Sequence, residues 1–497
     1  MARLETSDFF LSSPRCRSYP PPAIRTMGLR LFNTLSRMVE EFVPRDSAGR
    51  RVGMYCCGPT VYDDAHLGNF RTFVFADLVR RYLEFRGFEV FQVMNVTDVE
   101  DKIIARVQAA GTSLREFTVP VEARFLEDSA VLGCLRPHAS PRATAHIGEM
   151  IELIGRLITR GLAYQAADGS VYFSIEKYVA CGHRYGQLVH LNLEALRPGG
   201  RVRSDDYAKE AVADFALWKA RVPEDGLVCW PSPWGEGRPG WHLECSAMSM
   251  KLLGPSFDLH LGGEDLIFPH HEDEIAQSEG AGMQATGDRF VRHWVHAAHL
   301  LVEGRKMSKS LGNYYTVRDL LARGATGREI RYQLLQAHYR ETFNFRLENL
   351  DGARQSLARL DECLIKLREI ASGRRADPDP TWLAQFSVAM DNDLNVSAAW
   401  QTVFDGVREL NRQMATATLE PEAAASALAA WERINSVVGV GPIEEAEAPP
   451  EIQALLDERQ TARGRKDFAQ ADALRAELKA RGWRIDDTPK GPRLKKE

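Results

Sequence analysis

Cysteine is scarce in this chain of 497 residues: the eight thiols, at positions 16, 56, 57, 134, 181, 229, 245 and 363, are scattered too widely for a disulfide-stapled secreted scaffold. A reducing, cytoplasmic setting is the expectation. Long apolar runs are also missing, and nothing approaches the roughly 20 residues that a membrane helix needs. No membrane span is predicted. Residues 1–26 lack the apolar core of a secretory signal, their only apolar cluster being Phe9-Phe10-Leu11, and they read as a disordered extension ahead of Met27. There is no internal repeat, and no low-complexity stretch beyond that extension and an acidic linker near the C-terminus. A formal charge of only −5 excludes wholesale attraction to nucleic acid, but leaves room for a local basic surface.

What is present is the usual balance of a globular chain, 44% apolar and 26% charged. At roughly 100 to 200 residues per domain the length implies three or four units. Residues 51–57 read as a short strand broken by Gly58-Pro59-Thr60. Phe70, Phe73, Val74, Leu78, Tyr82 and Phe85 then keep the spacing of a buried helix face up to Gly87, and 89–96 reads as another strand. Strand, loop, helix, strand is a βαβ unit with its ligand at the strands' carboxyl ends. The character changes over 140–235 and returns to α/β at 257–268 and 290–302. The predicted fold class is therefore α/β: a split Rossmann-type domain (27–139 and 236–348) with an inserted subdomain (140–235). A helical bundle (349–440) follows, with Leu350, Ala353, Leu357, Leu360, Leu364 and Leu367 at helical spacing. An acidic linker (441–458) and a small basic module (459–497) complete the chain.

His66-Leu67-Gly68-Asn69 lies between the first strand and its helix, where free backbone N–H groups and the helix dipole favour an anion such as a triphosphate. Glycine lets phosphate approach the backbone and histidine can donate to developing charge; the same four residues would also serve as an ordinary capped helix start. Downstream, Gly304-Arg305-Lys306-Met307-Ser308-Lys309-Ser310-Leu311-Gly312-Asn313 forms a cationic loop suited to clamping a pyrophosphate leaving group, or else a plain surface loop.

Gly240-Trp241-His242-Leu243-Glu244-Cys245-Ser246 and Phe268-Pro269-His270-His271-Glu272-Asp273-Glu274 concentrate thiol, imidazole and carboxylate, all acceptable zinc ligands. Pro269 suits a first helical turn, which places His270 and Glu274 on one face. Cys57 is a candidate fourth ligand. Spacing leaves alternatives open: His271 with Glu274 competes, and Cys56 neighbours Cys57. In Asp258-Leu259-His260-Leu261-Gly262-Gly263-Glu264-Asp265-Leu266, Asp265 could accept from ribose hydroxyls, or the segment is simply a strand-to-helix turn.

Taken together these segments resemble the class I aminoacyl-tRNA synthetases, and within them the cysteinyl-tRNA synthetase family. Lys-Met-Ser-Lys-Ser stands unaltered at 306–310, while His-Leu-Gly-Asn at 66–69 corresponds to the family's His-Ile-Gly-His, with Asn69 in place of an ionisable second histidine. Cys-Gly-Pro-Thr-Val-Tyr-Asp at 57–63, Gly-Trp-His-Leu-Glu-Cys-Ser at 240–246 and Phe-Pro-His-His-Glu at 268–272 look like the cysteine-specific signatures. His-Leu-Gly-Gly at 260–263 departs from the usual His-Gly-Gly-Gly, so position 261 carries no expectation.

The resemblance implies the following. One zinc per chain is held by Cys57, Cys245, His270 and Glu274, and ATP arrives with Mg2+. His66, Gly68, Asn69, Asp265, Lys306, Ser308 and Lys309 bind the nucleotide, and His66, Gly68, Asn69, Lys306 and Lys309 serve catalysis. Trp241 and Cys57 wall the cysteine pocket. The partners are tRNA-Cys, L-cysteine and ATP; the protein is expected to be a monomer. Zinc would select the substrate's thiolate over serine's hydroxyl, making an editing domain unnecessary. Asn95-Val96-Thr97-Asp98 matches a family block to which no chemistry is assigned.

At the C-terminus, 444–458 holds six acidic and no basic residues, whereas 459–497 holds twelve basic against six acidic. Arg463, Arg465, Lys466, Trp483 and Arg484 interleave cations with an aromatic, which suits single-stranded RNA, although Trp483 could equally sit in a small core. This end argues against a cysteine:amino-sugar ligase built on the same adenylating core. The intact Lys306, Lys309 and ligand set argue against a non-catalytic RNA-binding relative.

Overall fold

In the computed structural model, residues 28–189, 214–308, 311–441, 449–488 and 491–496 are described. Four strands, β1 (Arg51–Cys56), β2 (Glu89–Met94), β3 (Phe257–Gly263) and β4 (Val291–Ala297), form a parallel sheet in the order β4-β3-β1-β2. Parallel strands covered on both faces are mostly apolar, and all seven residues of β3 are buried, its polar Asp258 and His260 being hydrogen-bonded. Cys56 pairs with Met94 on one side and Leu261 on the other. The chain leaves β1 toward β2 and β3 toward β4, so the connections diverge between β1 and β3. Such a switch point opens a crevice at the carboxyl ends of the strands.

Helix α1 (Leu67–Phe85) makes the first crossover. Its buried face includes Phe70, Phe73, Val74, Leu78, Tyr82 and Phe85, and Gly87 at φ 89° lets the chain turn back into β2. Between β2 and β3 come helices Asp101–Ala110, Leu114–Val131 and Ile147–Thr159 and an antiparallel sheet. Its strands, Ala163–Gln165, Val171–Phe173, Phe215–Ala220 and Gly237–Pro239, lie in chain order. The sheet runs past position 235, because the Trp/Pro/Gly-rich run at 230–240 supplies its last strand. The Pro198-Gly199-Gly200 patch lies outside the described residues. Helix α2 (Trp241–Leu253) then leads into β3, and α3 (Glu272–Gly280) joins β3 to β4.

Beyond the sheet, Asn349–Ala371, Pro380–Asp391, Val396–Ala415 and Pro421–Val438 form the helical bundle, and Leu350, Ala353, Leu357, Leu360, Leu364 and Leu367 all face its core. Arg331, wholly buried in the helix Gly327–Leu334, meets Asp77 of α1 at 2.5 Å. Residues 441–497 form a separate compact unit of two helices, Pro450–Gly464 and Phe468–Ala480, and a hairpin, Trp483–Thr488 with Gly491–Lys496. The first helix crosses position 458, where the charge changes sign. Among the described residues no helix is long and apolar enough to cross a membrane.

Candidate active site and metal cluster

The switch point opens into a cavity of about 500 Å³. Its walls include residues at the ends of all four strands, namely Cys57, Asn95, Gly263 and Ala297. His66, Gly68, Asn69, Trp241, Cys245, Asp265, His270, Lys306 and Met307 also line it. Segments more than 200 residues apart in sequence thus converge on one space.

His66 is the N-cap of α1: its Nδ1 accepts from the Asn69 amide at 3.2 Å while Asn69 Oδ1 accepts from the His66 amide at 3.1 Å. Asn69 therefore closes a reciprocal cap, a task for which a short amide serves well. Because Nδ1 accepts, the proton of a neutral His66 ring sits on Nε2. The downstream loop is tied to this helix start. The Leu67 amide donates to Tyr315 O at 3.0 Å, and the His66 and Tyr314 rings meet edge to face at 5.3 Å. A Cβ on Gly68 would stand 2.8 Å from Met307 Cε and 2.9 Å from His66 Cε1, so a side chain there would make the Met307 tip or the His66 ring shift. Asn313, 8% exposed, pins the loop by accepting from the Ser308 amide at 2.9 Å and donating to Lys306 O at 3.2 Å. Lys306 and Asp265 are exposed at the rim. Lys309 lies outside the described residues.

At the wall of the cavity Cys57, Cys245 and His270 come together with His271 and Glu274, all five buried. The Cys57 sulfur lies 3.8 Å from Cys245 Sγ, 3.5 Å from His270 Nε2, 3.4 Å from His271 Nε2 and 3.8 Å from Glu274 Oε1. His270 Nε2 meets Glu274 Oε1 at 3.1 Å, the i and i+4 pairing expected from sequence. The ligating atoms of Cys57, His270, His271 and Glu274 all lie within 4.8 Å of one another. The competing pairs His270–Glu274 and His271–Glu274 are therefore gathered in one place, whereas Cys56 donates to the Cys57 carbonyl at 3.5 Å and is not among them.

The side chains of the candidate ligands are oriented from behind. His270 Nδ1 faces His242 Nδ1 at 2.7 Å, His271 Nδ1 faces His296 Nε2 at 2.7 Å, and Glu274 Oε2 pairs with His260 Nε2 at 2.9 Å. Thr34 Oγ1 holds His296 Nδ1 at 2.7 Å, and Asp273 stands 3.4 Å from His242 while accepting from the Tyr185 hydroxyl at 2.6 Å. Partners of this kind fix ring tautomers and orientation at metal sites. A hydrogen bond from Cys57, aided by His270, draws the Cys245 thiol down to about 6 against the opposing effect of burial. Burial alone would lower His270, but the hydrogen bonds it donates to Cys245 and Glu274 raise it to about 10. Glu274, which burial pushes up, is held at about 2 by His260 and His270. Charged thiolate and carboxylate packed against imidazoles in a dry site form a donor set that fits a borderline-soft cation.

Comparison with known proteins gives the arrangement a family. Residues 44–355 match the family model described as tRNA synthetases class I (C) catalytic domain, 385–440 the DALR domain, and 445–491 the cysteinyl-tRNA ligase anticodon binding domain. A cysteine–tRNA ligase of Chlamydia muridarum is 46% identical over 95% of this chain and 100% of its own length. That of Protochlamydia amoebophila is 43% identical over 96% and 99%. The chain belongs to the cysteinyl-tRNA synthetase family. Solved structures share the fold at low identity. A methionyl-tRNA synthetase of Mycobacterium tuberculosis covers 79% of this chain and 90% of its own at TM-score 0.55 and 15% identity. The LeuRS of Agrobacterium radiobacter K84 covers 80% and 85% at 0.59 and 12%.

In this cysteinyl-tRNA synthetase fold Trp241 is 40% exposed, with its ring 4.6 Å from that of His270, so it flanks the metal cluster at the cavity wall. His242, His260 and His296 behind the cluster carried no assignment from sequence, since a single histidine in a strand or helix has no distinguishing pattern. In the C-terminal unit Arg463, Arg465 and Lys466 are exposed. Trp483 requires a correction: it is 5% exposed and packs with Ile452, Leu456, Leu478 and Ile485. Its ring is core, not a free surface on which a base could stack. The side chain of Arg484 lies outside the described residues.

Proposed function

We propose that this enzyme activates L-cysteine with ATP and transfers it to the 3′-terminal ribose of tRNA-Cys. The observation that supports the reading is one cavity whose walls include the His66–Asn69 helix start, Lys306 of the downstream loop, and Cys57, Cys245 and His270 of the thiol, imidazole and carboxylate cluster. Cys57, Cys245, His270 and Glu274 would hold one zinc, with His271 close by. Bound there, zinc supplies a Lewis-acid site that takes a substrate thiolate in preference to a hydroxyl. In the first step a cysteine carboxylate oxygen attacks the α-phosphorus of Mg2+–ATP and the bond to the pyrophosphate oxygen breaks. The Leu67 and Asn69 amides at the start of α1 are already engaged, so the positive end of the helix, with His66 and the lysines 306 and 309, would take the charge that develops on that leaving group. Gly68 and Asn69 keep the helix start open and capped, Ser308 shapes the loop and Asp265 receives the ribose. In the second step the terminal 2′ hydroxyl attacks the adenylate carbonyl and AMP departs. No protein nucleophile is required.

The insert at 140–235 would carry the acceptor end, and the bundle with Arg463, Arg465 and Lys466 the anticodon side. The enzyme would act in the cytoplasm as a monomer. Incubating the protein with ATP, Mg2+, labelled cysteine and tRNA should place label on RNA through a base-labile ester, with serine ignored. Cysteine adenylate without charged tRNA would replace this reading with an amino-sugar ligase, and the absence of both products would remove it.

A further inference from the structure

At the ends of β1 and β2 a line of buried hydrogen bonds runs from the loop behind Cys57 to the helix that carries Cys245. The Gly58 amide donates to Asn95 Oδ1 at 2.8 Å, Asn95 Nδ2 donates to Thr97 Oγ1 at 3.2 Å, and the Thr97 hydroxyl donates to Glu244 Oε2 at 3.1 Å. Asn95, Thr97 and Glu244 are 1%, 2% and 1% exposed, so each bond is made in place of water. The backbone follows the same line: the Thr97 amide donates to Pro59 O at 3.0 Å and the Val61 amide to Thr97 O at 3.1 Å. A Cβ at Gly58 would fall 1.7 Å from Asn95 O, so the loop after Cys57 rests directly on the 95–97 segment. Asn95 and Thr97 line the reaction cavity, whereas Glu244 stands behind them.

We propose that Glu244 is a positioning residue: acting through Thr97 and Asn95, it clamps the Cys57 loop against α2 so that the Cys57 and Cys245 sulfurs face each other. The Asn95-Val96-Thr97-Asp98 block thereby gains a purpose as the strut between two thiols supplied by different elements. Side chains that orient ligands from behind commonly change metal affinity about 10- to 100-fold when removed. The inference rests on the metal reading above.

Three variants of the full chain test it: Thr97→Val, Glu244→Leu, and Glu244→Gln, which keeps an accepting oxygen for Thr97. Thr97→Val and Glu244→Leu should release zinc to a chelator at least about tenfold faster than the parent chain. In cysteine-dependent ATP–pyrophosphate exchange they should raise the KM for cysteine about tenfold while the KM for ATP stays within about twofold. Glu244→Gln should stay near the parent in both, and the double variant should be no worse than the worse single one. Variants that melt lower yet keep the parent's zinc release and cysteine KM would overturn the strut, as would a parallel rise in both KM values. Should Glu244→Leu fail to fold, the near-isosteric Thr97→Val carries the same measurements. A parent chain that takes up no zinc would defeat the metal reading alone, and the cysteine-against-ATP split would then decide the strut.

Discussion

Gly68 and His293 show how a single side chain sets behaviour at this site and around it. An alanine at 68 would press its Cβ to 2.8 Å from Met307 Cε and 2.9 Å from His66 Cε1, both residues of the cavity wall. Misplacing catalytic groups by about an ångström costs on the order of 10²-fold in rate. Gly68→Ala should therefore lower kcat for pyrophosphate exchange to that extent, with little change in melting temperature; full activity would show that the Met307 contact is not maintained during turnover. His293, in β4, is buried beside Phe42 and 3.8 Å from Glu40. Burial, only partly offset by Glu40, lowers its pKa to about 4. The folded chain thus keeps the neutral ring while the unfolded chain protonates near 6.5. Stability is retained above about 6.5 and lost as pH falls toward 4, by about 2 kcal/mol between pH 7 and 5. His293→Phe should flatten the decline in melting temperature over that interval, and an unchanged slope would assign the acid sensitivity to other groups.

Elements bring such residues into register, and here the sequence was most informative where a periodic pattern ran long. The α1 face from Phe70 to Phe85 and the bundle residues from Leu350 to Leu367 stand as their spacing implied, since burying an apolar stripe leaves a helix few alternatives. Short elements were less readable. The strand Gly237–Pro239 is held by pairing with Phe215–Ala220, a tertiary contact that composition cannot reveal. Trp483 likewise could not be told from a surface aromatic, because the core it joins comes partly from Ile452 and Leu456 in a helix that begins inside the acidic stretch. Asp77 and Arg331 carried no sequence signal either, yet they lock α1 to the helix Gly327–Leu334 at 3% and 1% side-chain exposure. Removing one partner of a buried pair costs up to about 3–5 kcal/mol, here moderated because Asp77 keeps Arg81 at 2.7 Å and Arg331 keeps the Val438 and Leu132 carbonyls. Asp77→Leu and Arg331→Met should each destabilise by up to that order in denaturant unfolding, and the double variant by less than the sum. Additive losses would mean that the two side chains do not interact.

For the whole molecule, topology supplies what spacing could not. Cys57 ends the first strand, Cys245 rides on the helix before the third, and His270, His271 and Glu274 follow it; only the order β4-β3-β1-β2 brings these segments to one crevice. The same convergence creates an ambiguity, because five donors surround a centre that a tetrahedral ion fills with four. Geometry alone favours Cys57, His270, His271 and Glu274, whose ligating atoms are mutually close. Chemistry favours Cys245 by charge, since it is drawn toward thiolate, whereas His271 is a neutral ring held through Nδ1 by His296 with Nε2 3.4 Å from the Cys57 sulfur, a form that could also ligate. A second thiolate binds zinc more firmly than a further imidazole would and offsets more of the ion's charge in a dry site. Cys245→Ala should therefore lose the metal outright and with it cysteine-dependent exchange. His271→Ala should retain one zinc per chain by elemental analysis, bound roughly 10- to 100-fold more weakly because only its orienting influence is removed. The opposite pattern, zinc kept without Cys245 and lost without His271, would assign the fourth ligand to the histidine. Substrate selection would then rest on a site with one protein thiolate instead of two.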